Sequence, residues 1–349
     1  MLTYLIVGAG HRARFYGRAA QTYPRLFRCM YLCRSAEKAA LVQAQTGLEA
    51  TASLERAEAL RPDFVVVAVT KTAMAAVAAE WVERGYPVLT ETPAGATPQD
   101  LALLWRLHRE GKRLVTCEQY HRYPILAAGL RAVEEGRLGE PQSAYLSLCH
   151  DYHAFSLLRR MLSAAGESYT LRGCRTQAPV VETDSRQGAI LDGRTAGKNR
   201  DLVHIAYASG KTAVYDFSGL QYRSYLRSRH LTLRGERGEW TDTRLLLLDQ
   251  EGLPKTEPLL PDLPARYRCL DTQDLRDLRR AWSPVLNMET LQDEYAVATV
   301  LLDMGDYLQG GQEPYPFREA LEDAWFWLRL EEAVAHPWQE TASRPMPWE

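Results

Sequence analysis

The chain has 349 residues, 46% of them hydrophobic and 25% charged, enough to bury a large core and to build two domains. Its formal net charge of −2 offers no basic face, which argues against nucleic acid or a membrane surface as partner. No apolar stretch approaches the ~20 residues that span a bilayer, the opening residues read as a strand rather than a leader, and the six cysteines lack paired C-x-x-C spacing, so reduced thiols and a cytoplasmic location are expected.

Residues 4–7 read as a strand that runs into Gly8-Ala9-Gly10-His11-Arg12-Ala13, and a helical pattern follows over residues 12–23. Gly8 permits a tight turn and Gly10 lets the backbone approach a pyrophosphate held at the helix N-terminus, while Ala13 stands in the place of the third glycine. This is a dinucleotide-binding opening. The next strand, residues 28–33, ends in Cys33-Arg34-Ser35, where a chain that binds NAD usually carries a carboxylate for the ribose. A guanidinium and a hydroxyl suit a 2′-phosphate, so NADP is expected, with NAD left open and a solvated arginine as the plain alternative.

Strands at residues 64–69, 87–90 and 114–117 alternate with helices at 36–46, 73–84 and 98–110, as a parallel sheet with crossover helices requires. The all-apolar run from Phe64 suits a strand buried on both faces, and Thr97-Pro98 is a plausible capped helix start. Past Arg122 the pattern changes. A helix at 125–135 gives way to apolar and β-branched runs at 143–149, 170–181, 203–208, 212–217, 231–233 and 243–248, with Ser209-Gly210 as a hairpin turn. Residues 183–201 read as a long mobile loop, and residues 154–162, 288–308 and 317–335 as helices. The expected fold class is α/β: a Rossmann doubly wound parallel sheet over residues 1–121, then an α+β domain over 122–349 with a large, mostly antiparallel open sheet.

The order of these pieces, with Gly85 to Pro93, Arg122-Tyr123-Pro124 and Gly136 to Pro141, resembles the Gfo/Idh/MocA oxidoreductases over nearly the whole chain. The resemblance implies hydride transfer between nicotinamide and a hydroxyl-bearing carbon of a sugar or cyclitol, a polyhydroxylated small-molecule substrate, and a homo-oligomer, dimer or tetramer, formed through the second-domain sheet. It places Glu91, Thr92 and Pro93 beside the cofactor; Thr70 and Lys71, at the carboxyl end of the strand from Phe64, are expected there by their position in the sheet, with a solvent-facing lysine as the plain alternative. The family's Glu-Lys-Pro appears here as Glu91-Thr92-Pro93, and a neutral hydroxyl stabilises a developing alkoxide far less than an ammonium does. The family's Asp-x-x-x-His corresponds to Cys149 and His153.

His153, at the start of a predicted helix, is therefore the main catalytic candidate, with Asp151 or His150 to orient it. Helix capping or packing is its bland alternative. His150-x-x-His153 has no third ligand at a convincing spacing, so no metal is expected. Lys71, Thr92 and the phenol of Tyr152 are the candidates to polarise the substrate oxygen. His121 and Arg122 at the junction, His150, and Tyr222 and Arg227 in the polar-aromatic stretch 221–230, read as an extended strand, are candidate substrate contacts. Two other functions stay open: nicotinamide-assisted glycoside cleavage without net redox change, and nucleotide binding without catalysis.

Overall fold

The computed structural model describes residues 1–185, 188–260, 264–270 and 289–349, with the backbone alone for 289–291. Six parallel strands form the first sheet: β1 (Leu2–Val7), β2 (Phe27–Leu32), β3 (Ala50–Thr51), β4 (Phe64–Val67), β5 (Val88–Thr90) and β6 (Leu114–Thr116). Their order, β3-β2-β1-β4-β5-β6, reverses direction between β1 and β4, and in such sheets ligands bind outside the carboxyl ends of the strands at that crevice. The crossover helices are α1 (Ala13–Thr22), α2 (Ala36–Thr46), α3 (Leu54–Ala59), α4 (Lys71–Glu83) and α5 (Pro98–Arg109). The apolar run at Phe64 is buried throughout β4, between helices on both faces. Thr97 starts α5 through a reciprocal cap, its Oγ1 accepting from Asp100 N (3.1 Å) while Asp100 Oδ2 accepts from Thr97 N (3.1 Å). The short β3 and α3 escaped the sequence reading because neither is long enough to show a period.

The second part adds α6 (Pro124–Glu134), β7 (Pro141–Ser147), α7 (Asp151–Met161), β8 (Tyr169–Val181), the two-residue strands β9 (Asp184–Ser185) and β10 (Gly188–Ala189), β11 (Thr195–Tyr207), β12 (Thr212–Phe217), β13 (His230–Gly235), β14 (Gly238–Thr241), β15 (Arg244–Leu248) and β16 (Pro254–Pro258). It closes with α8 (Glu289–Leu308), α9 (Phe317–Ala335) and β17 (Thr341–Ala342); residue 288, the expected first residue of α8, and residues 186–187 of the expected loop lie outside the described residues. Nine of these strands form one sheet, ordered β16-β15-β14-β13-β7-β12-β11-β8-β17, antiparallel except where β7 meets β12.

Two sequence expectations are corrected here. Residues 195–201 are not loop: β11 begins at Thr195 and stays paired with β8 from Thr195↔Val181 to Tyr207↔Tyr169. Their polar composition reflects a strand end exposed to water, not an absence of pairing. Residues 221–230 are not an extended strand either. A 3-10 helix occupies Gly219–Arg223, Ser218 N donates to Gln221 Oε1 (2.9 Å), and β13 starts only at His230, so the alternation of side chains expected there does not exist.

The C-terminal helices tie the two sheets together. Tyr295, Val297, Leu301 and Met304 of α8 are buried in one core with Tyr16, Ala20 and Phe27 of the first sheet and its helices. One end of α9 (Phe317, Leu321, Ala324) is buried with Leu101 and Leu104 of α5, and the other (Phe326, Leu330, Ala333) with α7 and the second sheet.

Candidate functional site

The carboxyl ends of β1, β4, β5 and β6 face the N-terminus of α7, and the candidate residues collect there. Gly8 has φ +119°, and a Cβ on it would lie 2.3 Å from the Ala68 carbonyl oxygen, so only glycine fits between β1 and β4. A Cβ on Gly10 would meet nothing within 4 Å, the open approach a diphosphate needs. This turn fits a dinucleotide. His11 lies 5.4 Å from the Phe15 ring, and Ala13 opens α1, its carbonyl accepting from the Tyr31 hydroxyl (3.2 Å). Gly17 makes room for that phenol, since a Cβ there would sit 2.0 Å from the Tyr31 oxygen.

At the end of β2, Cys33 is buried, its thiol pushed up by burial; Arg34 is exposed and Ser35 caps α2 by accepting from Lys38 N (3.2 Å). At the end of β4, Thr70 precedes α4 and Lys71 lays its ammonium 4.1 Å from the Trp327 ring of α9, a cation–π contact that joins α4 to α9. Past β5, Glu91 is buried. Its Oε1 accepts from Arg12 Nε (3.0 Å) and from the Tyr16 hydroxyl (2.8 Å), its Oε2 from Thr92 N (3.2 Å), and Thr92-Pro93 is a cis peptide. Arg12 also meets Asp293 of α8 (3.1 Å), whose other oxygen accepts from Tyr123 (2.6 Å) and Gln119 (3.3 Å).

His153 stands in the first turn of α7, 4% exposed. Its Nδ1 lies 2.6 Å from Glu118 Oε2, and Glu118 Oε1 accepts the Tyr120 backbone N–H (3.0 Å), so the pair is fixed from both sides. Burial, reinforced by the nearby Arg12 charge, lowers the imidazole to about 3, and burial raises the Glu118 carboxyl to about 7. Below about pH 7 the contact is therefore a neutral acid beside a neutral ring, and above it a carboxylate beside a neutral ring; in neither state is it an ion pair. With Nδ1 taken, Nε2 is the ring nitrogen left for a ligand.

His150 and Tyr152 complete the wall. His150 Nδ1 contacts the Tyr222 hydroxyl (2.6 Å) and Nε2 the Tyr152 hydroxyl (3.0 Å), while the Tyr152 ring lies 4.6 Å from His153. Burial, then His153 and Lys71, hold the His150 ring far below the usual histidine range, and burial raises the Tyr152 phenol. Asp151 sits at φ +43°, a strained setting for a non-glycine residue; its N–H donates to Tyr215 (3.2 Å) and burial lifts its carboxyl to about 7.

Three candidates lie elsewhere. His121 is half-buried against the Tyr315 ring (5.3 Å), and Arg122 reaches Asp303 (2.7 Å), Thr299 (3.2 Å) and Tyr267 (3.1 Å), joining α8 rather than lining the cleft. Arg227 donates to the Leu226 carbonyl (3.0 Å) beside a cavity of about 360 Å³ on the far face of the second sheet, lined also by Lys198, Arg200 and His230. Conversely, the sequence reading missed Glu118, Asp293, Tyr16, Tyr120 and Tyr123. Only Glu118 carried a signal: it lies just past β6, at a carboxyl end of the parallel sheet.

Residues 2–119 match a family described as an oxidoreductase family with an NAD-binding Rossmann fold. The matching family is that of the Gfo/Idh/MocA oxidoreductases. An NAD binding oxidoreductase from Klebsiella pneumoniae superposes with a TM-score of 0.72 at 15% identity, covering 99% of each chain. An oxidoreductase from Agrobacterium radiobacter, solved with NAD+, L-tartaric acid and magnesium, gives 0.70 at 15% identity over 98% of each. Levoglucosan dehydrogenase with NADH and levoglucosan gives 0.68 at 16%, over 99% of this chain and 100% of that one. No curated protein matches the chain by sequence. At these identities the likeness shows the fold.

Proposed function

We propose that this Gfo/Idh/MocA relative is an oxidoreductase that interconverts a hydroxyl and a carbonyl on a sugar-like or cyclitol-like molecule, with His153 handling the oxygen's proton. The observation that carries the reading is the buried His153, held through Nδ1 at the N-terminus of α7 and facing the carboxyl ends of the parallel strands. A nicotinamide dinucleotide bound at the glycine-rich turn would supply or take up the hydride. Gly8, Gly10, His11, Arg12 and Ala13 form its diphosphate cradle, and Thr70, Glu91, Thr92 and Pro93 stand at the rim on the nicotinamide side. We assign the exposed Arg34 with Ser35 to a 2′-phosphate, hence NADP over NAD.

In the oxidising direction His153 Nε2 accepts the hydroxyl proton as the carbonyl forms; in the reducing direction it returns that proton to the new alkoxide. Tyr152, tied to His150 Nε2, presents its phenol beside the same ring. Lys71 contributes charge at the start of α4, and Thr92 offers a neutral hydroxyl. The uncovered face of the second sheet, with Leu246 47% and Leu248 49% exposed, is our proposed contact between copies, checked by sedimentation.

The test is deuteride transfer from 4-deuterated NADPH or NADH to a panel of keto-sugars and keto-cyclitols. Deuterium in the product, lost in His153→Ala while fluorescence titration shows cofactor binding intact, is the expected result. Release of an aglycone from glycosides without net redox change, or binding with no turnover, replaces the reading with one of its two rivals.

A further inference from the structure

We propose that Glu118 is the second station of the site's proton: it exchanges a proton with His153 Nδ1 while Nε2 exchanges one with the substrate oxygen, so the ring works without becoming an imidazolium. This rests on the hydride-transfer reading above and assigns a role to a residue just past β6. The geometry is the 2.6 Å contact between Glu118 Oε2 and His153 Nδ1, both side chains at most 5% exposed, with Glu118 Oε1 pinned by Tyr120 N–H and the Tyr120 ring 4.7 Å from the imidazole. Among the described residues His153 is the one side chain hydrogen-bonded to this buried carboxyl, so the imidazole is the route the geometry offers for its proton. The cation is disfavoured at His153 by burial first and then by the nearby Arg12 guanidinium.

For oxidation, the starting pair is a Glu118 carboxylate accepting from Nδ1–H, with a lone pair on Nε2. The substrate O–H bond breaks and an Nε2–H bond forms; the Nδ1–H bond breaks and a Glu118 O–H bond forms. The hydride leaves carbon for the nicotinamide, and a neutral ring remains in its other tautomer. Reduction runs the same bonds backwards. Glu118 is thus a positioning residue that acts through His153. The charged groups around it are Arg159 and Arg160 of α7 and Arg12 of the glycine-rich turn; among the described residues the other titratable groups facing the pair are Tyr120, Tyr152, Tyr315 and Asp323, with Glu91, Asp293 and His150 nearest the ring.

Two measurements test this. Nitrogen-15 NMR of the histidines in the ligand-free protein should show His153 changing tautomer with an inflection near neutrality and never forming an imidazolium between pH 5 and 8; Glu118→Gln should hold one tautomer throughout. A His153 that charges in that range, or one whose tautomer is indifferent to Glu118→Gln, overturns the proposal. With a substrate in hand, oxidation should rise with pH to a plateau above about 7, and reduction should fall over the same range. Glu118→Gln should slow both by roughly tenfold or more and erase the inflection, with the NADPH dissociation constant unchanged, while Glu118→Asp should restore it. An inflection that survives Glu118→Gln sinks the exchange. Turnover that survives His153→Ala sinks the reading on which it rests, whatever the NMR shows.

Discussion

Replacing Glu118 with Gln should change how stability depends on pH, and the size follows from proton counts. In the unfolded chain Glu118 titrates at its ordinary 4.5 and His153 at 6.5; folded, they stand at about 7 and about 3. A raised carboxyl binds its proton more tightly in the folded state, so its contribution is present below pH 4.5 and is lost as pH rises through about 7. A depressed histidine does the reverse: its contribution is present above 6.5 and is lost as pH falls toward about 3. Between 4.5 and 6.5 each state of the wild-type pair holds one proton, on Glu118 when folded and on His153 when unfolded, and the two slopes cancel. Glu118→Gln removes the folded state's proton and leaves the unfolded state's. Because the depression of His153 comes from burial and Arg12, it persists in the variant. Stability should then fall with acidification relative to wild type, by roughly 2–3 kcal/mol over those two units. Equilibrium urea unfolding at pH 6.5, 5.5 and 4.5, followed by tryptophan fluorescence, measures it. His153→Gln should show the opposite slope, since it leaves only the folded state's proton on Glu118. Wild type and Glu118→Gln running parallel across the window would refute the neutral pair.

Gly17→Ala places a methyl 2.0 Å from the Tyr31 hydroxyl and should cost ~1–3 kcal/mol in urea unfolding. Tyr31→Phe in the same chain should recover part of it, because the phenol oxygen is the nearest obstacle. Arg122→Ala leaves the buried Asp303 with Tyr267 and only the exposed Arg266 (3.5 Å) as counter-charge and should cost up to ~3 kcal/mol; it should also slow turnover while NADPH binding holds. Arg34→Ala should weaken NADPH roughly 10- to 100-fold and leave NADH unchanged, read by paired fluorescence titrations. Equal effects on both cofactors would remove the 2′-phosphate assignment.

The first sheet was legible because its signals are local. The buried run of β4, the Thr97 cap and the glycines after β1 each need only their neighbours in sequence. The stretch 221–230 misled for a local reason as well: Ser218 and Gln221 have capping-box spacing, and that chemistry outweighed an apparent alternation. Residues 195–201 misled for a distant one, since their pairing partner is β8 and composition does not report pairing. His153 was legible from its place at a helix start. Glu118 is 35 positions earlier, just past β6, and Asp293 is 281 positions from Arg12, and no periodicity connects either pair.

The pairing of Glu118 with His153 therefore depends on how the two sheets are held. Buried ion pairs do this holding: Arg122 with Asp303 joins the junction to α8, Arg12 with Asp293 joins the glycine-rich turn to α8, and Arg159 with Asp323 joins α7 to α9. Desolvating these charges offsets most of their attraction, so an apolar core of equal volume would stabilise the fold as well or better. An apolar contact tolerates sliding, whereas a fork of N–H groups on a carboxylate does not. A 2.6 Å contact between a residue just past β6 and one on α7 needs that restraint, because displacement by ~1 Å is enough to cost a site of this kind about two orders of magnitude in rate. On this hypothesis the braces set geometry more than stability, and the turnover arm of Arg122→Ala decides it: full activity in a merely less stable protein would leave them as ordinary structural pairs.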